Sequence, residues 1–309
     1  MVDTAVALFV FNRPETTRQV FERIRQARPR LLLLVADGPR AGHPDDARRC
    51  AEVQALLAGG VDWPCEVRRN ISATNVGCGR RMLQGLDWVF SEVEEAIILE
   101  DDCLPDPTFF RYCAEQLARY RDDERIGAIS GMNHQYRPFT CAYSYYFSAY
   151  AHSWGWASWR RAWRHNDITM HAWPAYRASG RLEAWLDHRP KAIRYWRGIF
   201  DGAARGEFNA WDYQWTFCCW NAGMLSILPG RSLVRNIGFG ADATHTRDAN
   251  ALPEPTVGPM DFPLRHPVSV AADTVADAHT ESVVFRPEKL RRRWARRLRA
   301  TMRRLAGRA

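Results

Sequence analysis

The first hundred residues alternate short apolar runs with segments of helical periodicity, and this alternation constrains the fold more than any other feature of the chain. Apolar runs at 5–11, 31–36, 65–69 and 96–99 have the length and composition of buried strands. Between them, apolar residues recur at helical spacing over 14–27, 45–58 and 76–93. Strands and helices in alternation predict an α/β fold with a mostly parallel central sheet flanked by helices.

Polar residues follow three of these predicted strands, at the edge where a parallel sheet binds its ligands. Residues 12–13 follow the first strand, residues 37–39 follow the second, and the acidic triplet Glu100-Asp101-Asp102 follows the fourth. Consecutive acids at the end of a buried strand are costly in free energy unless a positive charge meets them. Mg²⁺ or Mn²⁺ would do so, because these cations prefer carboxylate and phosphate oxygen. The alternative is a solvated acidic turn or a cap for the next helix.

The acidic triplet and its surroundings resemble GT-A glycosyltransferases, particularly N-acetylglucosaminyltransferase I and bacterial family 2-like sugar transferases. The likeness rests on Ile-Ile-Leu-Glu-Asp-Asp-Cys-Leu-Pro-Asp-Pro-Thr-Phe-Phe at 97–110, on Phe-Val-Phe-Asn-Arg-Pro at 9–14, and on Ala-Asp-Gly at 36–38. This resemblance implies the Rossmann-like GT-A fold. It also implies a metal-dependent transfer of a sugar from a nucleotide-diphosphate sugar, UDP-linked in the nearest relatives, to an acceptor hydroxyl.

The resemblance assigns nucleotide contacts in the first half of the chain. Asn12 and Arg13 occupy the nucleotide-contacting turn after the first strand, where Arg13 is expected to meet the donor phosphates. Asp37 is expected to contact the nucleobase. Arg80 or Arg81 is expected to cover the base or the ribose.

The resemblance also divides the acidic triplet by role. Glu100 faces the nucleoside, Asp101 faces the sugar or a supporting basic group, and Asp102 binds Mn²⁺ or Mg²⁺. His245 follows a strand-like stretch and a glycine-rich turn, where some GT-A enzymes place a histidine on the metal or the diphosphate. A neutral imidazole is a suitable ligand for Mn²⁺. The alternative is an ordinary surface or core histidine.

Two downstream segments extend the resemblance. Asp212 lies in a Trp-Asp-Tyr segment that resembles the region of the catalytic base in N-acetylglucosaminyltransferase I, although Tyr213 stands where that family has a second acid. An inverting transfer needs one carboxylate to accept the proton of the acceptor hydroxyl, so Asp212 is predicted to be this base; the alternative is a helix cap. Gly155 is expected to allow close backbone approach to the donor sugar, and Trp156 to pack on it.

The domain organisation follows from the same patterns. We predict a GT-A glycosyltransferase domain over 1–248, with a nucleotide-binding half at about 1–131 and an acceptor half at about 132–248. Most of the thirteen tryptophans lie between 143 and 220, where they either line an acceptor groove or fill the core. A proline-rich start predicts a wrapping extension over 249–287.

The positive charge of the chain belongs to its last residues. Residues 286–309 hold eleven Arg or Lys against one glutamate, so a net charge of +8 leaves the remainder slightly acidic and no nucleic-acid partner is expected. Apolar residues recur every three or four positions there, which predicts a basic amphipathic helix over 288–309. Such a helix can bind an anionic membrane surface, which would bring the site to a glycan or lipid-linked acceptor. The alternative is a disordered or peptide-binding tail.

The sequence shows no pattern typical of a secretory signal or a membrane-spanning segment. Residues 1–3 lead into the first apolar run without a basic region, and no run reaches membrane-spanning length. The eight cysteines lack the paired spacing of a zinc site, which indicates reduced thiols. We therefore expect a cytoplasmic location, including a peripheral position at the inner face of the plasma membrane, and a role in surface polysaccharide or glycolipid synthesis.

Two other classes of protein share part of this pattern. A nucleotidyltransferase has a nucleotide-binding sheet and an acidic metal site, but it is expected to carry a glycine-rich phosphate loop near its N-terminus, which Asn-Arg-Pro-Glu at 12–15 is not. A non-catalytic protein that binds membrane or nucleic acid would explain the basic tail. It would leave the acidic triplet and Asp212 without a purpose.

Overall fold

A single eight-stranded sheet organises the chain in the computed structural model, which describes residues 2–136, 139, 141–238 and 256–285. The strands are β1 (Ala5–Val10), β2 (Leu31–Ala36), β3 (Glu66–Ile71), β4 (Glu95–Glu100), β5 (Cys103–Pro105), β6 (Ile126–Ser130), β7 (Tyr145–Ser148), β8 (Trp156–Trp159), β9 (Leu225–Pro229) and β10 (Val234–Asn236). The helices are α1 (Pro14–Ala27), α2 (Pro44–Gly59), α3 (Cys78–Glu92), α4 (Thr108–Arg119), α5 (Arg160–Trp163), α6 (Trp173–Ala178), α7 (Arg181–Trp185), α8 (Pro190–Ala204), α9 (Asp212–Asn221) and α10 (Thr274–Val283).

The large sheet has the order β3-β2-β1-β4-β8-β6-β9-β7. Strands β3, β2, β1 and β4 pair in parallel, so their carboxyl ends meet at one edge. Strand β8 is antiparallel to both β4 and β6, so β6 and β9 run in the same direction as β4. This arrangement confirms an α/β fold with a mostly parallel sheet flanked by helices.

Alternate residues of the central strands enter two separate cores, because successive side chains of a strand point to opposite faces. Phe9 and Ile98 face the core formed with α3 and the helices of the second half, whereas Leu8 and Leu99 face the core formed with α1, α2 and α4. The edge strand β3 carries polar, partly exposed residues, which suits a strand with an unpaired side.

The tryptophan-rich segment belongs mainly to the first core. Buried tryptophans there include Trp156, Trp163, Trp173, Trp196, Trp211, Trp215 and Trp220. Core packing, one of the two alternatives for this segment, therefore accounts for these rings. Each fully buried aromatic side chain contributes roughly 2–3 kcal/mol of hydrophobic stabilisation.

The predicted extension over 249–287 contains a helix among its described residues. Helix α10 lies within it, and Asp273 caps its first turn by accepting from the backbone amides of Val275 and Ala276 at 3.1 and 2.9 Å. The proline-rich sequence upstream indicates a loop, so the pattern did not predict this cap or the ten-residue helix that follows it. The chain after residue 285, including the predicted basic helix at 288–309, lies outside the described residues.

The sheet runs through both predicted halves of the domain. Strands β8, β6, β9 and β7 come from residues after 125 and continue the sheet begun by β1 to β4. The boundary at about 131 stays a prediction. Within the described residues, no helix is long and apolar enough to cross a membrane.

Candidate donor-binding and catalytic site

A cavity of about 550 Å³ opens where β1, β2 and β4 end. Its walls come from the turn after β1, the β2–α2 connection, the start of α3 and the end of β4. The lining residues that carry polar or charged groups into it include Asn12, Arg13, Asp37, Arg40, Asp46, Asn75, Arg81, Glu100, Asp101 and Asn209. The volume is sufficient for a nucleotide-sized ligand.

Arg13 joins the turn after β1 to the acidic triplet. Its Nη1 donates to Asp102 Oδ2 at 2.9 Å, and its Nη2 donates to Asp101 Oδ1. Asp101 also accepts from the backbone amide of Phe11 at 3.2 Å and is only 2% exposed. The resemblance expected a supporting basic group at Asp101, and the structure places Arg13 in contact with it.

The triplet retains an excess of negative charge beside Arg13. Burial, together with the neighbouring charges of Asp102 and Asp101, raises the pKa of Glu100 well above its usual range. Burial also raises the pKa of Asp101, although Arg13 opposes the shift. Arg13 therefore compensates only part of the negative charge gathered at the end of β4.

Strand β10 brings a second segment across the acidic triplet. It pairs with β5, which directly follows Asp102, and the backbone amide of Ile237 donates to Asp102 O at 2.8 Å. A Cβ on Gly238 would lie 2.2 Å from Asp102 Oδ2 and 2.7 Å from Arg13 Nη1. Only glycine therefore fits at 238 while these two side chains keep their places. His245, seven residues further on, lies outside the described residues.

Asp37 organises the loop that precedes α3. Its Oδ1 accepts from the amides of Gly38 and Val76 at 2.9 and 3.0 Å, and its Oδ2 accepts from Asn75 Nδ2 and the amide of Gly77 at 2.9 and 3.2 Å. These four donors use the hydrogen-bonding capacity of a carboxylate. Asp37 lies at the cavity as expected, but its side chain holds the loop, and its contact with a nucleobase stays a prediction.

Asn12 belongs to a buried network on the α2 side of the cavity. Its Nδ2 donates to Asp46 Oδ1 at 2.7 Å, and Arg40 donates to the same carboxylate through Nε and Nη2 at 2.6 and 2.9 Å. Hydrogen bonds from Arg40 hold the pKa of Asp46 below its usual range. Arg40 also lies over the ring of Phe11 at 5.4 Å. This network shapes the wall beside the turn at 12–13.

The two arginines predicted at the base or ribose occupy different environments. Arg81 is buried, and its Nε and Nη2 donate to Ala36 O at 3.1 Å and to Asn70 Oδ1 at 2.7 Å. It lines the cavity while tying β2 to β3. Arg80 is exposed on the other side of α3 and does not line the cavity. Of the two arginines, Arg81 lines the cavity and Arg80 does not, and the contact of Arg81 with a base or ribose stays a prediction.

Helix α9 brings Asp212 to the acidic triplet from the second half of the chain. Asp212 is the first residue of this helix, and the N-cap residue is Trp211. Its negative charge helps to raise the pKa of Glu100. The pKa of Cys78 rises to about 12 through burial and the charges of Glu100, Asp212 and Asp102. Cys78 and Glu100 line the cavity, whereas Asp212 does not line it but is near enough for its charge to act on both of them.

Trp211 fixes the start of α9 against the aromatic core. Its ring stacks on Trp156 with centroids 5.5 Å apart, and Trp163 lies 6.4 Å away. Trp156 is 2% exposed and does not line the cavity. Its side chain supports Trp211, and the predicted packing of Trp156 on a sugar stays a prediction.

Gly155 is needed for packing within the protein. It has φ of +63°, and a Cβ there would lie 2.7 Å from Val234 Cγ2 on β10. The expected close approach therefore occurs between this backbone and β10. Approach to a donor sugar stays a prediction.

The described residues contain no group of three or more His, Cys, Asp or Glu side chains placed to hold a metal ion. Arg13 pairs with both Asp101 and Asp102 at the end of β4, where the resemblance implies the metal. A cation there would need oxygen atoms from a bound ligand besides Asp102. The surplus of carboxylates fits such a shared site.

Several cavity residues have no signal in the sequence by itself. Asn75, Asp46 and Asn209 reach the cavity from loops or from the first turn of a helix. Asn75 lies five residues before Arg80, and its role becomes visible only through its hydrogen bond to Asp37. Asn209 lies in the last loop before Asp212, well separated in sequence from the other lining residues.

No protein-family profile matches the chain. No curated protein matches it by sequence. Among 92 matching solved chains is a UDP-glucose pyrophosphorylase complexed with UDP-glucose, which is 10% identical over 49% of this chain and 64% of that chain, with a TM-score of 0.27. The matched part spans less than two thirds of that enzyme, and at this TM-score the match assigns neither a fold nor a function to the chain.

Proposed function

We propose that the protein is a metal-dependent, inverting glycosyltransferase that moves a sugar from a UDP-linked donor to an acceptor hydroxyl. The observation that carries this proposal is the nucleotide-sized cavity at the carboxyl ends of β1, β2 and β4, which is lined by Arg13 and by Glu100 and Asp101 of the acidic triplet. Asp212, more than a hundred residues further along the chain, is near enough for its charge to help raise the pKa of Glu100, and a carboxylate there suits a base that acts on a second substrate. The hexosyl or N-acetylhexosaminyl class is proposed for the transferred group.

The donor would lie along the cavity from Asp37 toward Asp212. The nucleoside would occupy the end lined by Asp37, Asn75 and Arg81. The diphosphate would meet Arg13 at the turn after β1, and the sugar would reach Glu100. In this order, the leaving diphosphate would lie beside the cationic side chain of Arg13, and the anomeric carbon would lie near Asp212, the proposed base.

Asp102 would hold Mn²⁺ or Mg²⁺ together with the donor phosphates. The excess of negative charge at the triplet supports this assignment, because Arg13 compensates it only in part. A bound cation would neutralise charge on the departing diphosphate. His245 is proposed as a further ligand and lies outside the described residues.

Asp212 would accept the proton of the acceptor hydroxyl as its oxygen bonds to the anomeric carbon. The bond between that carbon and the diphosphate oxygen breaks on the opposite face, so the configuration inverts. Arg13 stays beside the leaving diphosphate throughout. One carboxylate at the acceptor side is sufficient for this single displacement.

The first experiment is a transfer and hydrolysis assay with a panel of nucleotide sugars and Mn²⁺. We expect Asp102→Ala to abolish donor binding and transfer together, and Asp212→Ala to keep donor binding but lose at least about a hundredfold in rate. Asp122→Ala, at an exposed position, is the control. A product with retained configuration would remove the role of Asp212, and turnover of a nucleoside triphosphate with a sugar phosphate would favour a nucleotidyltransferase.

The acceptor is proposed to be a glycan or a lipid-linked molecule at an anionic membrane surface, with the protein in the cytoplasm or peripheral to the inner face of the plasma membrane. The support comes from the basic residues of 288–309 and from Phe285, the last described residue before them. Phe285 packs on Tyr150, Tyr195 and Trp196 in the second half of the domain, at 4.9 to 5.5 Å between ring centroids. Truncation after 287 should abolish sedimentation with anionic vesicles and leave sedimentation with neutral vesicles unchanged.

A further inference from the structure

Arg13 contacts two of the three acids at the end of β4 with separate nitrogen atoms. Nη1 lies 2.9 Å from Asp102 Oδ2, and Nη2 contacts Asp101 Oδ1. The side chain of Asp101 is 2% exposed, whereas those of Arg13 and Asp102 are 18% and 15% exposed. The pair with Asp101 is therefore buried, while the pair with Asp102 is partly accessible to a ligand in the cavity that Arg13 lines.

Both carboxylate oxygens of Asp102 have neighbours within the protein. Oδ2 accepts from Arg13, and a Cβ on Gly238 would lie 2.2 Å from the same oxygen. Cys103 Sγ lies 3.6 Å from Oδ1. The main chain of Asp102 is held as well, because its carbonyl oxygen accepts from the amide of Ile237 at 2.8 Å. Asp102 can therefore bind a cation more easily by losing its contact with Arg13 than by moving itself.

A divalent cation and the guanidinium of Arg13 would compete for Asp102. A cation bound to a carboxylate that already contacts Arg13 would bring two positive charges together, and like charges repel more strongly where water is partly excluded. A diphosphate carries negative charge that can meet both, because its oxygens accept hydrogen bonds from a guanidinium and also coordinate Mg²⁺ or Mn²⁺. Phosphate binding to Arg13 would thus free Asp102 Oδ2 for the cation.

We propose that the ion pair between Arg13 and Asp102 is an autoinhibitory contact, which keeps the cation site closed until the donor diphosphate binds. This inference rests on the proposed function of the same site. The diphosphate takes up the hydrogen bond of Arg13, and the freed carboxylate oxygen accepts the cation. Because coupling between two bound ligands is reciprocal, the cation strengthens nucleotide binding by the same factor. A protein without a charge at 13 should bind the cation alone more tightly and lose part of this coupling.

The test is Mn²⁺ binding to the full chain with and without saturating UDP, measured by the electron paramagnetic resonance signal of free Mn²⁺ and corrected for Mn²⁺ that UDP binds in solution. We expect UDP to tighten Mn²⁺ binding to wild type at least about tenfold. Arg13→Gln should bind Mn²⁺ alone at least about fivefold more tightly than wild type, and its gain from UDP should be smaller by a similar factor. Arg13→Lys, which keeps the charge, and the control Arg18→Gln, which removes an exposed arginine paired with Glu15, should stay within about threefold of wild type.

The outcomes separate this inference from the proposed function. If wild type binds UDP with Mn²⁺ but Arg13→Gln binds Mn²⁺ alone no more tightly than wild type, or gains as much from UDP, the inference is overturned and the proposed function stands. If wild type binds neither UDP nor Mn²⁺, both are overturned. A circular dichroism melt shows whether each variant is folded. If Arg13→Gln is unfolded, Arg13→Gln/Asp101→Asn removes the buried unpaired charge and is judged by the same two measurements.

Discussion

Arg13 and Asp102 form a direct ion pair at the mouth of the acidic triplet, with Nη1 of the arginine 2.9 Å from Oδ2 of the aspartate. The same guanidinium contacts the buried Asp101. The residue proposed to meet the donor diphosphate therefore also compensates the carboxylates that would share a metal with it. Binding and stability are coupled at this one side chain.

Replacement of Arg13 by alanine should destabilise the protein as well as weaken donor binding. Asp101 would remain buried without its cation, and removing one partner of a buried pair costs about 3 kcal/mol. Urea denaturation measures this loss. The double variant Arg13→Ala/Asp101→Asn should recover part of it, whereas Arg18→Ala, in an exposed pair with Glu15, should change the free energy of unfolding by less than about 0.5 kcal/mol. Equal effects of the two single variants would contradict the assignment.

Replacement of Asp37 by asparagine should loosen the loop at 75–77. An amide nitrogen cannot accept a hydrogen bond, so about two of the four donors that meet Asp37 would lose their acceptor. We expect faster hydrogen exchange at Val76 and Gly77 and about tenfold weaker UDP binding. Asp122→Asn, on an exposed turn, serves as the control. Unchanged exchange at these two amides would show that the carboxylate does not hold the loop.

Replacement of Gly79 by alanine should displace the loop that precedes Asp212 and α9. The added methyl group would lie 3.1 Å from Ala210 N, a backbone atom, so the loop must shift by a few tenths of an ångström. We expect kcat to fall at least about tenfold, because small displacements of a catalytic group have large effects on rate. Steady-state kinetics measure this effect. Gly59→Ala, where a methyl group meets nothing within 4 Å, should retain wild-type kcat. A normal kcat in Gly79→Ala would mean that the loop adapts without cost.

The stability of the protein should depend on pH through Asp277 of α10. Burial raises the pKa of this carboxyl to about 7, although it accepts hydrogen bonds from Ser148 Oγ and the amide of Ala149. The folded state then binds the proton more tightly than the unfolded state, whose pKa is 3.8. The stabilisation is therefore complete below pH 4 and is lost as pH rises toward 7, by up to about 4 kcal/mol.

This pH dependence can be isolated with Asp277→Asn. As pH rises from 4 to 7, the free energy of unfolding of wild type should fall relative to that of this variant, as measured by urea denaturation. Asp261→Asn, at an exposed position, should show no such shift. A constant difference across this range would mean that Asp277 titrates as an ordinary surface carboxyl.

Local patterns were sufficient for the strands and helices of the first half. The runs that predicted β1, β2 and β4 lie within one residue of the observed strands, because buried strands require continuous apolar segments. The run at 65–69 also lies close to an observed strand, β3, but the prediction that it is buried is wrong, because β3 is a polar, partly exposed edge strand. The position of the acidic triplet at the end of β4 follows from the same pattern. Helix α10 was missed, because its apolar face is short and its cap at Asp273 follows a proline-rich segment.

The roles within the site depended on contacts between distant segments. Asp37 was expected to face a nucleobase, and only the folded chain shows that residues 75–77 take up its hydrogen bonds. Trp156 was expected at a sugar, and it lies beneath Trp211. Neither arrangement has a local signal, since a hydrogen bond or a ring contact leaves no periodicity in either segment.

The sequence by itself determined which segments form buried strands, where these strands end, and which acids stand at the end of the fourth. These properties are local, because hydrophobic periodicity and strand length act over a few neighbouring residues. Only the tertiary structure decided that the charge of Asp212 acts on Glu100, and that Asn209 reaches a cavity otherwise lined by residues 9–101. The physical reason is that both arrangements depend on how closely α9 and the loop before it pack against the first turn of α3. The residues of one segment alone do not determine that packing.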